Sequence, residues 1–153
     1  MTTADLLELD MEGSVLRGPG KPSAETALHL VIYRDRPKAK AILHVHSVWN
    51  TLIGSRFVNA GQFRLTSFEL LKALEGVTSH EHREVLPVLA NSQNYEELSA
   101  HLADALKLHP GAHGVLLSGH GLYAWGSSVE DAWRHLEALE FLFEVEGRRI
   151  YGV

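Results

Sequence analysis

The chain has 153 residues, of which 45% are hydrophobic and 22% are charged, and this length and composition are typical of one globular domain. Its 14 Lys and Arg residues against 19 Asp and Glu residues leave a net charge of −5 at pH 7, with both signs scattered along the sequence. Nucleic-acid surfaces and basic membrane anchors need clustered positive charge, so neither partner is expected. No cysteine is present, which excludes disulfides, thiol nucleophiles and thiolate metal sites.

The N-terminal sequence and the hydropathy indicate where the protein is expected to act. The first residues lack the basic and apolar regions of a secretory signal, and no apolar run approaches the ~18 residues of a transmembrane helix. We therefore expect a cytoplasmic protein. Ten histidines are the unusual feature of the composition. Because cysteine is absent, a transition metal would have to be held by histidine and carboxylate groups alone.

The predicted elements alternate short strands with amphipathic helices, which is typical of a sheet layered with helices. In the first half we predict a hairpin over 5–16, a helix over 22–34, a strand over 39–46, and short helices over 47–53 and 67–74. In the second half we predict a strand over 85–89, a helix from Asn94, strands over 114–117 and 122–125, and a long helix after a capping box at 127–130. No linker or repeat divides the sequence, so residues 1–153 are expected to form a single domain.

Sequence periodicity also predicts which side chains the C-terminal helix buries. The expected buried stripe, at helical spacing, consists of Val129, Trp133, Leu136, Leu139 and Phe143. Trp125 and Trp133 are therefore interpreted as core residues rather than as a platform for a ligand. Histidines with charged neighbours in or beside helices are expected at the surface, namely His101, His109 and His135. His113, beside a glycine, is compatible with either position.

His44 and His46 lie at the end of the strand predicted over 39–46. Residues two apart in a strand point to the same face, so the two imidazoles would converge on one point and form half of a metal site. The alternative is a pair of hydrogen-bonded core histidines or a half-exposed strand face. A second pair, His80 and His82, lies in a polar stretch without periodicity, which is typical of a solvated loop.

His120 lies between Gly119 and Gly121, where an apolar strand turns into the next one. Glycines on both sides let the backbone come close to a ligand bound by the ring. A turn that needs glycine only for its φ angles would have the same sequence, so both interpretations remain open.

Two carboxylates are candidate acid/base groups. Glu25 falls in the first turn of a predicted helix, where the helix dipole alone favours a negative charge. Glu69 is flanked by apolar residues, and the sequence is compatible with either an exposed side chain or a desolvated base.

Four short motifs follow one another along the chain: Lys21-Pro-Ser-Ala-Glu-Thr26, His44-Val-His46, Phe68-Glu-Leu-Leu-Lys72 and Gly119-His-Gly-Leu-Tyr-Ala-Trp-Gly126. Together they resemble the class II aldolase/adducin family, and the resemblance extends from about Asp5 to Arg148. The Trp-Gly pair after the last histidine motif and the segment 135–144 are most similar to one branch of that family. Enzymes of this branch dehydrate the methylthio sugar phosphate of methionine salvage.

The resemblance implies an α/β fold with three layers, α/β/α, and a mainly antiparallel central sheet. It also implies a homotetramer with sites at the subunit contacts. Family members usually begin with two helices and a hairpin carrying a Gly-Asn phosphate loop, which this chain is expected to lack. The phosphate pocket would then be incomplete or completed by other residues, and some sheet edge or apolar surface would be uncovered.

The resemblance also implies roles for individual residues. It implies a catalytic Zn²⁺ with three neutral protein ligands and an open fourth position. These ligands would be His44, His46 and His120. Glu69 would be the general acid/base, and Glu25, which matches the proton-transfer carboxylate of the aldolase branch, would have a supporting role. Ser23, and less directly Lys21, would help to hold the substrate phosphate.

The expected function is therefore zinc-dependent elimination of water from the sugar phosphate, giving a 2,3-diketo phosphate. Zinc would stabilise the charge that develops when a proton next to the carbonyl is removed. The nearest alternative is an aldolase or epimerase acting on another sugar phosphate. A third possibility is a non-catalytic interaction module like the adducin head, which shares the fold.

Overall fold

In a computed structural model, which describes residues 6–153, a central sheet lies between two layers of helices. The strands are β1 (Glu8–Leu9), β2 (Val15–Arg17), β3 (Ala41–Val45), β4 (Gln62–Thr66), β5 (Arg83–Leu89), β6 (Gly114–Leu117) and β7 (Gly121–Gly126). The α-helices are α1 (Thr26–Asp35), α2 (Val48–Phe57), α3 (Tyr95–Leu108) and α4 (Val129–Tyr151), with 3₁₀ turns at Val58–Ala60 and Glu69–Ala73. Within the described residues, no helix is both long and apolar enough to span a membrane.

The central sheet has five strands in the order β3-β7-β6-β5-β4. Only β5 and β6 run parallel, and the other neighbouring pairs are antiparallel, as expected. In this register the ends of the strands line up along two opposite edges of the sheet. The upper edge is formed by Val45, Leu89, Leu117 and Gly121, and the lower edge by Ala41, Thr66, Arg83, Gly114 and Gly126. The predicted hairpin forms a separate two-stranded sheet from β1 and β2, and Asp5, where that prediction begins, lies outside the described residues.

Each face of the sheet carries one layer of helices, because alternate strand residues point to opposite faces. One face packs against α1 and α3 through Leu28, Ile32, Leu98, Leu102 and Leu106. The other face packs against α2 and α4 through Ile53, Leu136, Leu139, Leu142 and Phe143. The α/β/α prediction is thus confirmed.

The helix starts follow the side chains that can accept from free backbone N–H groups. Asn94 accepts from the N–H of Glu97 at the start of α3, as predicted. At the start of α4 the cap is Ser128, which accepts from the N–H of Asp131, one residue later than the predicted box.

The predicted burial of α4 is wrong at two apolar positions and at one histidine. Val129 and Trp133 are 61% and 54% exposed, so the buried stripe begins instead at Ala132. His135 is only 1% exposed. Both of its ring nitrogens have backbone partners, namely the carbonyl oxygen of Trp125 on β7 and the N–H of Glu75, which follows the second 3₁₀ turn. Trp125 is buried, as predicted. Strand β4 was not predicted, although Phe63 and Leu65 alternate with polar residues along it.

A buried carboxylate joins β5 to the start of β6 at the lower edge. Glu84 is 1% exposed and accepts from the backbone N–H of His113 at 2.8 Å and from His113 Nδ1 at 3.0 Å. His82 Nε2 donates to the same carboxylate at 2.9 Å. An isolated buried carboxylate would be costly, so these three donors are what makes the burial of Glu84 tolerable.

The two partners shift each other's pKa in opposite directions. Burial raises the pKa of Glu84, but the hydrogen bonds and charge of His113, together with His82, outweigh burial and hold it below its ordinary value of 4.5. Burial lowers the pKa of His113, but the bond to Glu84 and its charge prevail and raise it above 6.5. Both groups are therefore charged together over a wide range of pH.

This pair predicts a pH dependence of stability. The contribution of Glu84 is complete above pH 4.5 and is lost as pH falls through its lowered folded pKa. The contribution of His113 is complete below pH 6.5 and is lost as pH rises through its raised folded pKa. Glu84→Gln should lower the free energy of unfolding by about 3 kcal/mol between those values, and by less on either side.

The measurement is urea unfolding of both proteins across the pH range. Glu146→Gln is the matched control, because Glu146 is also buried but pairs with Arg149 rather than with a histidine. A difference between wild type and Glu84→Gln that stays constant with pH would contradict the assignment.

Candidate metal centre

Three histidine side chains converge at the upper edge of the sheet. His44 lies near the end of β3 and His46 follows that strand, with both rings on the α1 and α3 face, as their two-residue spacing predicts. His120 comes from the turn between β6 and β7, and β7 is the neighbour of β3 in the sheet. One ligand atom from each, and one from Glu25, all lie within 4.8 Å of one another.

Hydrogen bonds at the back of two rings orient their Nε2 atoms toward this cluster. His44 Nδ1 lies 3.0 Å from the carbonyl oxygen of Leu122, so it carries the proton and leaves Nε2 with a free lone pair. His120 Nδ1 faces the side-chain oxygen of Asn91 at 3.3 Å in the same way. Each partner fixes the tautomer that a metal ligand needs.

The distances between the nitrogens fit a bound cation. His44 Nε2 lies 2.8 Å from His46 Nε2 and 3.3 Å from His120 Nε2. Nitrogen ligands on a tetrahedral Zn²⁺ are separated by ~3.3 Å, given Zn–N bonds of about 2.0–2.1 Å. Lone pairs this close repel one another unless a cation or a shared proton lies between them. The donor set of this cluster therefore fits a transition metal ion.

The two glycines around His120 have different roles. Gly119 has a φ of +65°, which favours glycine in the turn after β6. Gly121 is needed for space, because a Cβ there would lie 2.4 Å from the Val45 carbonyl oxygen and 2.8 Å from a carbon of the His46 ring. Gly119 thus confirms the interpretation that the turn needs glycine for its φ angle, while close approach of the backbone to a bound ligand stays a prediction.

Glu25 completes the cluster from the turn that leads into α1. Its carboxylate oxygens lie 3.0 Å from His120 Nε2 and 3.6 Å from His44 Nε2. Its backbone N–H donates to the Ser23 hydroxyl, which fixes the turn before the helix. Glu25 is therefore a fourth candidate ligand or an acid/base beside the ligands, beyond the helix-start role that its position alone indicates.

Burial keeps His44 in the form that can bind a metal. The ring stacks on Tyr123 with centroids 3.9 Å apart, and burial lowers its pKa, although the Leu122 carbonyl and Glu25 oppose the shift. A lowered pKa favours the neutral imidazole at neutral pH. His46, in contrast, is exposed, so the cluster is open to solvent on that side.

Glu69 lies apart from this cluster in the same chain. It follows the lower end of β4 and lines a groove with Arg134, Glu137 and Phe141 of α4, on the opposite face of the sheet from the histidines. Its side chain is 72% exposed and forms an ion pair with Lys72. The hydrogen bond from Lys72 and its charge lower the pKa of Glu69, so the group is an ionised base at neutral pH.

The other sequence candidates have simpler surroundings. Lys21 is exposed and lies four residues before Glu25. His80 is an exposed loop residue near Glu69, as predicted, whereas His82 binds the buried Glu84. Asn91 was missed, and the only sequence signal for it is its position just after β5, which ends at the upper edge.

Two solved structures of similar fold are named as sugar-phosphate aldolases. An L-fuculose 1-phosphate aldolase matches 100% of this chain and 66% of its own chain, with a TM-score of 0.77 and 22% identity. L-fuculose-1-phosphate aldolase from Thermus thermophilus matches 99% of this chain and 73% of its own, with a TM-score of 0.70 and 26% identity. These structural similarities support the α/β/α fold described above.

Similar curated sequences carry one name. Methylthioribulose-1-phosphate dehydratase from Methylococcus capsulatus is 48% identical over 149 residues, which cover 97% of this chain and 71% of that protein. The enzyme of the same name from Enterobacter sp. is 43% identical over 97% of this chain and 72% of its own length. The family described as Class II Aldolase and Adducin N-terminal domain matches residues 1–146. The chain therefore belongs to the class II aldolase/adducin family.

Proposed function

We propose that this chain is a zinc-dependent hydro-lyase that removes water from 5-methylthioribulose 1-phosphate to give 2,3-diketo-5-methylthiopentyl 1-phosphate. The reaction is a step of methionine salvage, and we place it in the cytoplasm. The observation that carries the proposal is the convergence of three histidine nitrogens and one carboxylate at the upper edge. Its support from sequence is that curated relatives sharing 42–48% identity are named for this dehydratase.

The metal would be held by the three histidines, whose neutral imidazoles suit Zn²⁺ in a chain without cysteine. These ligands are His44, His46 and His120. When bound, Zn²⁺ supplies a Lewis acid that polarises the substrate carbonyl and stabilises the negative charge that develops on its oxygen. The exposed side of the cluster beside His46 leaves room for a substrate to approach.

The chain's own acid/base chemistry is the transfer of a proton from C3 to the hydroxyl that leaves C4. Glu69 takes the proton from C3, next to the C2 carbonyl, and a C3–C4 double bond forms as the C4–O bond breaks. The same carboxyl returns the proton to the departing C4 hydroxyl, which leaves as water. The enol then loses the proton of its C3 hydroxyl and takes one at C4 to become the diketone. Such a general acid/base commonly contributes about 10²–10⁴-fold to the rate.

Glu69 must reach the metal cluster of another subunit, because the sheet separates it from the cluster of its own chain. The groove beside Glu69 has a volume of about 660 Å³ and is lined by Leu70, Ala73 and Phe141. Trp133 is exposed one turn away from Glu137 on the same face of α4. Exposed apolar surface of this kind marks an interaction site.

The surface around the metal cluster is a suitable counterpart. Val48 and Leu52 of α2 are exposed near the end of β3. A contact between the lower-edge groove of one copy and the upper edge of the next joins two different surfaces, and such contacts form a ring when the rotation between copies closes. A homotetramer with one site at each contact is consistent with this arrangement.

Ser23 and Lys21 are proposed to hold the substrate phosphate. The Ser23 hydroxyl accepts from the N–H of Glu25, so its own proton is free to donate to an anion. Lys21 provides a positive charge two residues earlier. Both lie in the turn that brings Glu25 to the metal ligands.

An aldolase acting on another sugar phosphate is the second candidate, and the position of Glu25 among the ligand atoms favours it. An interaction module without catalysis is less consistent with the chain, because the full set of three histidines and a carboxylate is retained.

Incubating the purified chain with 5-methylthioribulose 1-phosphate tests the proposed reaction. Dehydration keeps the carbon chain whole and lowers the mass by one water, whereas aldol cleavage releases a three-carbon phosphate. Mass spectrometry of the products separates the two. Cleavage, or no turnover by zinc-loaded protein, would refute the dehydratase proposal.

We expect the chain to bind about one Zn²⁺ per subunit. Gly121→Ala should lower zinc affinity by more than about 10–100-fold, the usual effect of losing a partner behind a ligand, because the methyl group pushes β7 away from the histidines. Gly111→Ala is the matched control, since its added methyl meets nothing within 4 Å. Metal analysis after dialysis measures both. Unchanged zinc affinity in Gly121→Ala would contradict the proposed site.

Glu69→Gln should reduce kcat by roughly 10²–10⁴-fold and leave zinc content unchanged. Mixing this variant with inactive His120→Ala should restore part of the activity, because one subunit then supplies the histidines and its neighbour supplies Glu69. Refolding the two variants together and assaying the mixture is the measurement. Wild-type rates in Glu69→Gln would exclude the role of Glu69, and inactive mixtures would exclude a site shared between subunits.

A further inference from the structure

The segment between β4 and β5 carries Glu69, and two histidines hold it by the backbone N–H and carbonyl of one residue, Glu75. The N–H of Glu75 donates to His135 Nε2 at 2.9 Å. The carbonyl oxygen of Glu75 accepts from His113 Nε2 at 2.9 Å. The two rings pack edge to face, with centroids 5.1 Å apart and an interplanar angle of 80°.

The partners of each ring dictate its protonation state. His135 Nδ1 donates to the carbonyl oxygen of Trp125 at 2.7 Å, so its Nε2 is the unprotonated acceptor and the ring is neutral. His113 faces an acceptor at both nitrogens, Glu84 Oε2 at 3.0 Å and the Glu75 carbonyl at 2.9 Å. Both of its nitrogens must donate, so His113 is an imidazolium.

The charged groups around His113 make this pattern stable. Glu84 of β5 is buried and binds both the ring and the backbone N–H of His113, and it also accepts from His82. The His113 ring also faces Glu75 on the loop between β4 and β5, and His135 on α4. Burial lowers the pKa of His135, and the positive charge of His113 lowers it further, so the two rings favour opposite states.

The rest of the segment also has a fixed conformation. Ser67, two residues before Glu69, has a φ of +65°, an uncommon value for a residue with a side chain. Its N–H donates to the His80 carbonyl at 3.1 Å. Leu71 and Leu74 are buried in the core between these two points. The conformation of the turn at Glu69 therefore depends on attachments at both of its ends.

We infer that His113, His135 and Glu84, here called the histidine clamp, are positioning residues that fix the segment bearing Glu69 through the backbone N–H and carbonyl of Glu75. The expected effect on kcat rests on the proposed function, whereas the ordering of the segment rests on geometry alone. When His113 loses its proton, one of its two acceptors is left without a donor and the segment loosens. When His135 gains a proton, the Glu75 N–H loses its acceptor. The segment is therefore most ordered, and kcat highest, between these two titrations.

The test compares wild type with Glu84→Gln, which removes the charge that keeps His113 protonated, and with Glu146→Gln as the buried carboxylate control. Hydrogen exchange of the Glu75 amide across the pH range, analysed as a protection factor, reads out the clamp directly. Protection should fall by about tenfold or more in Glu84→Gln at neutral pH. The alkaline limb of kcat should move to lower pH by about one unit or more, with zinc content and KM little changed.

A measurement on wild type alone covers the case in which Glu84→Gln does not fold. The NMR titration of the His113 ring and the loss of Glu75 amide protection should share one midpoint. Different midpoints, or equal protection in Glu84→Gln and Glu146→Gln, would overturn the inference. If the chain has no dehydratase activity at all, the proposed function fails, while the exchange data still decide whether the clamp exists.

Discussion

The close approach of β7 to the end of β3 at Gly121 is the constraint on which the upper edge depends. In the antiparallel pairing of these strands, Val45 lies opposite Leu122, so the turn before β7 lies directly beside the two histidine rings. A side chain at Gly121 would overlap both the β3 backbone and the His46 ring. Only with glycine there can His120 bring its Nε2 within 3.3 Å of His44 Nε2. His120, distant in sequence, joins the His44 and His46 pair because of this one missing Cβ.

At the lower edge of the sheet, buried charged groups hold a loop in place. Glu84 is almost inaccessible to water, and its negative charge is balanced by donors that also fasten neighbouring segments. Buried ion pairs contribute little net stability compared with apolar packing, but they fix one arrangement of their partners. Here the arrangement includes the loop that carries Glu69. In the proposals above, the upper edge binds the metal and the lower edge positions Glu69, and assembly of subunits would bring the two together.

The sequence was most informative where a local period determines the structure. The His-Val-His pair is predicted to share a face because strand residues alternate, and the helix starts at Asn94 and near Ser128 follow from local capping. Sequence-based prediction failed where contacts with residues distant in the sequence determine whether a side chain is buried. His135 was expected at the surface. Its Nδ1 instead donates to a carbonyl oxygen of β7, and its Nε2 accepts from the N–H of Glu75, which is 60 residues away in the sequence. Trp133 has the spacing of a core residue but faces outward, because Ala132 and Leu136 already fill the layer above the sheet.

The candidate site was predictable in part for the same reason. Periodicity places two histidines together, but the third histidine and Glu25 join them only through strand order and the turn before α1, which the family resemblance supplied. Asn91 has no local signal, since its contact with His120 arises from the parallel pairing of β5 with β6.

The surroundings of the two carboxylates distinguish their roles in the proposed reaction. Glu25 lies among the histidine nitrogens, where a bound cation would hold it in place. Glu69 is exposed in the single chain, and Lys72 lowers its pKa, which suits removal of a proton but opposes its return. Docking of Glu69 against another subunit would strip water from the carboxyl, and desolvation raises the pKa of an acid. The contact that brings Glu69 to the substrate would therefore also tune it to give back the proton it has taken, so assembly and acid/base catalysis depend on the same interface.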